Sequence, residues 1–159
     1  MQLTQKETSL LKDLKDQEQL CVDKYNQHAS QANDPQLKSL FTQIGQVESG
    51  HLDTVNQILS GTVPSMQSGS SASSGGSSQM QQSFTQTYSS SDQSQGKQKD
   101  SYLCTDLLST EKHVSSTYNT SIFEFSDSKI RDVLNHIQKE EQQHGEQIYN
   151  YMSQNGMYN

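Results

Sequence analysis

The chain has 159 residues, a net charge of −7 and only 29% hydrophobic residues. One domain is the natural count for that length, and an acidic balance without a basic cluster argues against nucleic acid as a partner. No apolar run is long enough for a membrane span or a signal peptide, so a soluble protein made in the cytoplasm is expected.

The low hydrophobic fraction is an average over unlike parts. A Ser/Gln/Gly-rich tract over 62–99 dilutes two flanking halves that carry enough apolar residues for a small helical core. Two cysteines do not make a disulfide framework, and a reducing compartment is favoured.

Thr4 followed three residues later by Glu7 reads as a capping box. Helix A is then expected to run to about Ala32. Leu11, Leu14, Glu18, Cys21, Tyr25 and His28 recur at spacings of three and four, which draws one stripe toward a core. Glu18 lies inside that stripe, where a carboxylate is costly unless something neutralises it. Asn33-Asp34-Pro35 stops one helix and starts the next, with Asp34 as cap and Pro35 suited to the first helical position. So short a break predicts an antiparallel helix B. Its stripe is Leu37, Phe41, Ile44, Glu48, His51, Val55 and Ile58, and it ends at Gly61 and Pro64.

Residues 62–99 read as a flexible crossover. A coil of that length measures about 35 Å, close to the roughly 38 Å of a helix of about 25 residues. The crossover can therefore span the bundle and start helix C at the far end. Residues 66–94 are expected to add little to the core; a tail-like surface for assembly or cross-linking is the alternative use of the tract. Helix C is placed at about Asp100 to Phe125, with a stripe of Cys104, Leu107, Glu111, Val114, Tyr118, Ser121 or Ile122, and Phe125. Ser126-Asp127-Ser128 mirrors the first break. Helix D carries Ile130, Val133, Leu134, Ile137, Glu141, His144, Ile148 and Tyr151, with a frayed tail and a stop at Gly156.

The halves are copies. Glu-x-x-His occurs at Glu48–His51 and at Glu141–His144, and each copy follows another Glu, Glu18 or Glu111, by 30 residues. Glu18 and Glu111 are each followed seven residues on by a tyrosine, Tyr25 and Tyr118. All these pairs share an offset of 93, and at that offset 10–61 align on 103–154 without a gap. Such self-similarity marks a duplicated two-helix unit. The expected architecture is thus all-α: hairpin A/B over 1–61 and hairpin C/D over 100–159, joined into one antiparallel four-helix bundle.

A Glu and a His three apart share a helix face and can grip one divalent ion. A lone copy is more often a solvated face. Here four glutamates and two histidines fall on apolar seams, one Glu from each of two helices and a Glu-x-x-His from each of the others. That is the ligand inventory of a carboxylate-bridged di-iron or di-manganese site in a bundle. Four carboxylates balance two divalent ions, whereas burial without partners costs several kcal/mol per ion. Two ions, iron or manganese, are expected, because the donors are oxygen and nitrogen. Cys21 reads as a buried inert thiol. If helices A and C are antiparallel, Cys21 and Cys104 fall on the same side of the metals and a disulfide stays open. His28, His113 and His136 lack partner spacing and read as surface or seam residues.

The repeated Glu-x6-Tyr and Glu-x2-His pattern resembles the signature of rubrerythrin-like members of the ferritin-like superfamily. The resemblance implies a ferritin-like bundle, with Glu18, Glu48, His51, Glu111, Glu141 and His144 as ligands and Tyr25 and Tyr118 as donors to ligand carboxylates. The stretch LTQKETSLLKDLKDQEQLCVDKYNQHA and the Ser/Gln-rich middle look like the spore coat protein F family of endospore-forming Firmicutes. That implies a coat-associated protein made in the mother cell, meeting other coat proteins or its own copies. The chain departs from rubrerythrins at Val114, where they carry a further Glu, and in lacking a four-cysteine rubredoxin domain. It also lacks the extra C-terminal helix of ferritin cages. Two functions follow: a coat component whose di-metal site braces the bundle and protects against peroxide, or a cytoplasmic di-metal peroxidase, catalase or ferroxidase.

Overall fold

The computed structural model describes residues 2–65 and 82–158. Four helices follow in order: α1 Gln5–Gln31, α2 Pro35–Leu59, α3 Gln95–Ile122 and α4 Ser128–Gln154. They form an all-α four-helix bundle of two hairpins. Among the described residues no helix is long and apolar enough to cross a membrane.

The ends are set by local chemistry. The Thr4 hydroxyl accepts from the Glu7 amide at 3.1 Å, and the Glu7 carboxylate accepts from the Thr4 amide at 2.8 Å, closing the capping box. Asp34 caps α2 through the Gln36 amide, with Pro35 next to it. Asp127 caps α4 through the Lys129 amide. Gly61, with φ of 90°, turns the chain away after α2, a conformation that favours glycine.

Contacts at the two ends fix the topology. At one end Glu7, near the start of α1, accepts from the Ser126 amide, just past α3. At the other, Asp100, near the start of α3, accepts from the Asn33 amide between α1 and α2. Helices α1 and α3 are therefore antiparallel. Asp34 at the start of α2 accepts from the Tyr151 hydroxyl near the end of α4, so α2 and α4 are antiparallel too. The end of α2 and the start of α3 therefore lie at opposite ends of the bundle.

The seams face inward. Leu11, Leu14, Glu18, Cys21, Tyr25 and His28 of α1 are all buried, as are the seven predicted seam residues of α2. On α3 the buried position is Ser121, while Ile122 is half-buried and Phe125 is buried beyond the helix end. The apolar core divides into two clusters. One contains Leu11, Leu14, Val55, Ile58 and Ile130; the other contains Tyr25, Leu37, Phe41, Leu107 and Ile148. The layer of charged residues lies between them. Cys21 belongs to the first cluster and Cys104 to the second, and both are free. No disulfide joins them.

The Ser/Gln-rich tract departs from its expected role in its last third. Helix α3 begins at Gln95 rather than near Asp100. Ahead of it, Phe84 packs edge-on against Tyr151, with ring centroids 5.3 Å apart. The amides of Thr87 and Tyr88 both donate to the Asn155 side chain, and the Tyr88 hydroxyl donates to Asp100 at 2.8 Å. Residues 82–94 therefore dock on one end of the bundle and add to its core. The docking also orders the tail that was expected to fray: α4 reaches Gln154, and Asn155 is fully buried. Gly156 has a φ of 62°, and a Cβ there would come within 2.9 Å of Ser90. The rest of the expected linker, 66–81, lies outside the described residues.

Candidate metal centre

Each helix contributes from its middle. Glu18 on α1 and Glu111 on α3 face each other across the bundle; Glu48 and His51 share one face of α2, and Glu141 and His144 one face of α4, because three residues make nearly one turn. All six side chains are between 0% and 4% exposed. They form two groups, Glu18, Glu48, His51 and Glu141, and Glu48, Glu111, Glu141 and His144. Within each group one ligand atom per residue lies within 4.8 Å of all the others, so each could hold a metal ion.

Glu48 and Glu141 belong to both groups. Glu48 presents Oε2 to His51 Nδ1 at 3.1 Å and Oε1 to His144 Nδ1 at 3.1 Å. Glu141 presents Oε1 to His51 Nδ1 at 3.0 Å and Oε2 to His144 Nδ1 at 3.6 Å. Glu18 approaches only His51, at 3.9 Å, and Glu111 only His144, at 3.5 Å. Each imidazole turns Nδ1 toward the carboxylates, and the two rings lie 5.8 Å apart, inclined by 25°.

The carboxylates outnumber the donors. Buried oxygens Glu18 Oε2, Glu111 Oε2 and Glu141 Oε2 have no hydrogen-bond partner. Most buried polar atoms are satisfied, so three orphans in one layer need a cation or protons to answer them. Protons answer in the absence of metal. Burial, followed by the charges of Glu141 and Glu48, pushes the Glu18 carboxyl up to about 10. Burial also raises Glu111, to about 7, and its hydrogen bond to Glu141 adds to that. Burial would raise Glu141 as well, but hydrogen bonds from Glu111, His144 and His51 hold it below the usual carboxylate range. Burial disfavours a charged His51, yet bonds to Glu140, Glu141 and Glu48 push it up to about 12. The same contest, against Glu111, Glu141 and Glu48, raises His144. Oxygen and nitrogen donors with four acidic groups in a buried layer suit a divalent metal ion.

The two tyrosines support the layer crosswise. The Tyr25 hydroxyl of α1 donates to Glu111 of α3, and the Tyr118 hydroxyl of α3 donates to Glu18 of α1. Burial, first, and the adjacent carboxylates keep both phenols protonated, so they act as donors. The motif gives tyrosines seven residues after each Glu; the exchange between halves comes from the packing.

One residue escaped the motif reading. Glu140 accepts from His51 Nε2 at 2.7 Å, which leaves Nδ1 free to face the carboxylates. That bond, first, holds Glu140 below the usual carboxylate range. Its other oxygen faces His136 at 3.4 Å, and this i,i+4 pair was visible in the sequence. The duplication hid it, because at the offset of 93 Glu140 falls on Val47. His28 is tied to Asp106 at 2.7 Å and His113 is exposed, so neither joins the layer.

The fold and this layer define a class: a duplicated four-helix bundle with two buried, overlapping Glu/His groups able to bind metal. Residues 99–159 match the family described as the Coat F domain. No curated protein and no solved structure matches the chain.

Proposed function

We propose that this is a spore-coat-associated, ferritin-like protein that binds two divalent ions, iron or manganese, in its central layer and thereby braces the bundle, with protection against peroxide as its chemical use. The observation that carries the reading is the sharing of Glu48 and Glu141 between the two groups, with one oxygen of each turned to each side. In that arrangement Glu48 and Glu141 would be common to both ions, Glu18 with His51 would hold one, and Glu111 with His144 would hold the other. The bound pair would supply valence change beside a dry carboxylate cage. The chain's own residues hold the ligands in place: Tyr25 and Tyr118 fix one oxygen each of Glu111 and Glu18, and Glu140 fixes the His51 ring. The Coat F match over 99–159 supports coat association, with coat proteins or further copies of the chain as partners.

A second reading, a di-metal oxidoreductase of the rubrerythrin type acting in the cytoplasm, draws on one further observation. A groove of about 900 Å³ between α3 and α4 reaches Glu111 and Glu141, giving a small oxidant a way in. Val114, where rubrerythrins carry a further Glu, weighs for the coat reading.

Elemental analysis of the chain purified from its own host tests the metal reading. Two ions per chain are expected for the wild type, none for Glu48→Ala/Glu141→Ala, and one each for Glu18→Ala and Glu111→Ala. Full occupancy in the double variant would end it. Oxygen release from peroxide by metal-loaded protein, with localisation in sporulating cells, separates the two functions. Vigorous turnover that vanishes in Glu111→Ala, in a protein absent from the spore, would favour the enzyme.

A further inference from the structure

The duplication predicts equal halves, but the surroundings of the two groups differ at two paired positions. The first is behind the histidines. His51 Nε2 donates to Glu140 at 2.7 Å. At the offset of 93 the residue that would serve His144 in the same way is Val47. Both histidines border a cavity, of about 330 Å³ at His51 and about 190 Å³ at His144, but only His51 has its Nε2 held by a carboxylate across it. A carboxylate behind a ligating imidazole fixes its orientation and raises its basicity, and losing one typically costs 10–100-fold in affinity.

The second difference is in front of the carboxylates. Leu52 on α2 corresponds to Gly145 on α4. Gly145 lines the groove of about 900 Å³ that reaches Glu111 and Glu141. A Cβ at this position would meet only Leu108, at an ordinary 3.6 Å, so the missing side chain leaves open space. The first hairpin is drawn together instead: a Cβ on Gly45 would come within 3.2 Å of the Tyr25 Cβ. Glu111 thus borders a route from solvent, and Glu111 is a ligand candidate of one group only.

We infer that the two metal positions are unequal. The position served by Glu18 and His51 is the tight, resident one. The position served by Glu111 and His144 is the exchangeable one, filled and emptied through the groove between α3 and α4. The inference rests on the proposed two-ion layer and assigns Glu140 as a positioning residue and Gly145 as the opening of the entry path. With three carboxylates, Glu111, Glu141 and Glu146, against one cation, Lys112, along the groove, a divalent cation is the ligand this route suits.

Metal release tests it. The full chain, loaded with two equivalents of Mn²⁺, is mixed with excess metallochromic chelator and the absorbance is followed. Two phases of equal amplitude are expected, with rates at least about tenfold apart, the factor a carboxylate behind a ligating histidine commands. Glu140→Val, which copies Val47, should speed the slow phase and leave the fast one. Gly145→Leu, which copies Leu52, should slow the fast phase and leave the slow one. Glu140→Gln keeps the side chain's shape and should act in the same direction as Glu140→Val, which guards against a folding defect. Release of both ions at a single rate would overturn the inequality and leave the two-ion layer standing, as would a Gly145→Leu chain that releases both ions as the wild type does. A chain that takes up no Mn²⁺ would overturn the two-ion layer itself.

Discussion

The two hairpins carry the same ligands at the same spacing, yet they are built differently around them. In the first, α1 and α2 pack closely at Gly45 and Tyr25, and a half-buried Leu52 stands at the position that is Gly145 in the second. In the second, Gly145 leaves a groove that reaches Glu111 and Glu141. The turns at the two ends of the bundle show a similar contrast. Asp100 of α3 accepts from the amides of Asn33 and Asp34 and from the Tyr88 hydroxyl. Its duplicate in α1, Glu7, accepts from the Ser126 amide and hydroxyl while also closing its own capping box. Each hairpin's loop is therefore held by an acid from the other hairpin. The lesson is that a duplication preserves ligands and clamps, whereas access and support diverge at positions the motif does not cover.

The comparison can be sharpened by experiment, beginning with the metals. With both positions at about 100 times their dissociation constants, bound ions should add about 5 kcal/mol to folding stability, about 2.7 kcal/mol for each. Brief chelation that strips one position should cost about half of that. Thermal melts before and after graded chelation check this, and an unchanged melting temperature in fully stripped protein would rule out bracing. The stabilisation should also depend on pH. Glu18 and His51 have folded-state values of about 10 and about 12, above their ordinary ones. The stripped, folded layer therefore holds protons that the unfolded chain gives up, so its stability falls as pH rises from about 4.5 upward. Metal displaces those protons and binds better at higher pH. The gain in melting temperature on adding Mn²⁺ should be larger at pH 8 than at pH 5.5.

The two clamps come next. Asp100→Ala leaves the Asn33 and Asp34 amides and the Tyr88 hydroxyl without their acceptor and should cost about 3 kcal/mol, at about 1 kcal/mol or more for each. Glu7→Ala should cost less, about 1–2 kcal/mol, because the Ser126 amide and hydroxyl lie nearer solvent. Chemical denaturation of both variants decides it; equal losses would mean that docking of 82–94 adds nothing to the Asp100 clamp.

The tyrosines test the crosswise support. Tyr118→Phe removes the donor to Glu18 and should weaken the tight position by about tenfold to a hundredfold. Tyr25→Phe removes the donor to Glu111 and should act by a similar factor on the exchangeable one. Metal titrations of the two variants check this, and an effect of Tyr118→Phe on the Glu111 position alone would contradict the crossed pairing.

The smallest effect concerns acid. Hydrogen bonds from the Ser126 and Thr4 amides hold the Glu7 carboxyl below its ordinary range. Its contribution is therefore present above the unfolded value near 4.5 and is lost as pH falls through the lower folded value. Glu7→Gln should melt below wild type at pH 7 and match it at pH 2. A gap that persists at pH 2 would mean packing, rather than charge, carries the effect.

Much of this was determined by the sequence by itself. Spacings of three and four put Glu18, Glu48, His51, Glu111, Glu141 and His144 on apolar seams, and the offset of 93 pairs the halves. Helical periodicity is a local property, so it can be read along one chain. The caps at Thr4, Asp34 and Asp127 are local in the same way. What only the tertiary structure decided depends on residues far apart in the chain. Glu140 acts on His51 across 89 positions, and Tyr25 and Tyr118 serve each other's halves across 86 and 100. Tyr88 and Phe84 look like linker by composition but dock, because the buried acid Asp100 and the ring of Tyr151 meet them at the bundle's end. The groove at Gly145 likewise comes from what the facing helix leaves unfilled. Such contacts are fixed by how whole helices approach one another, and a single helix's pattern carries no record of its neighbour's surface.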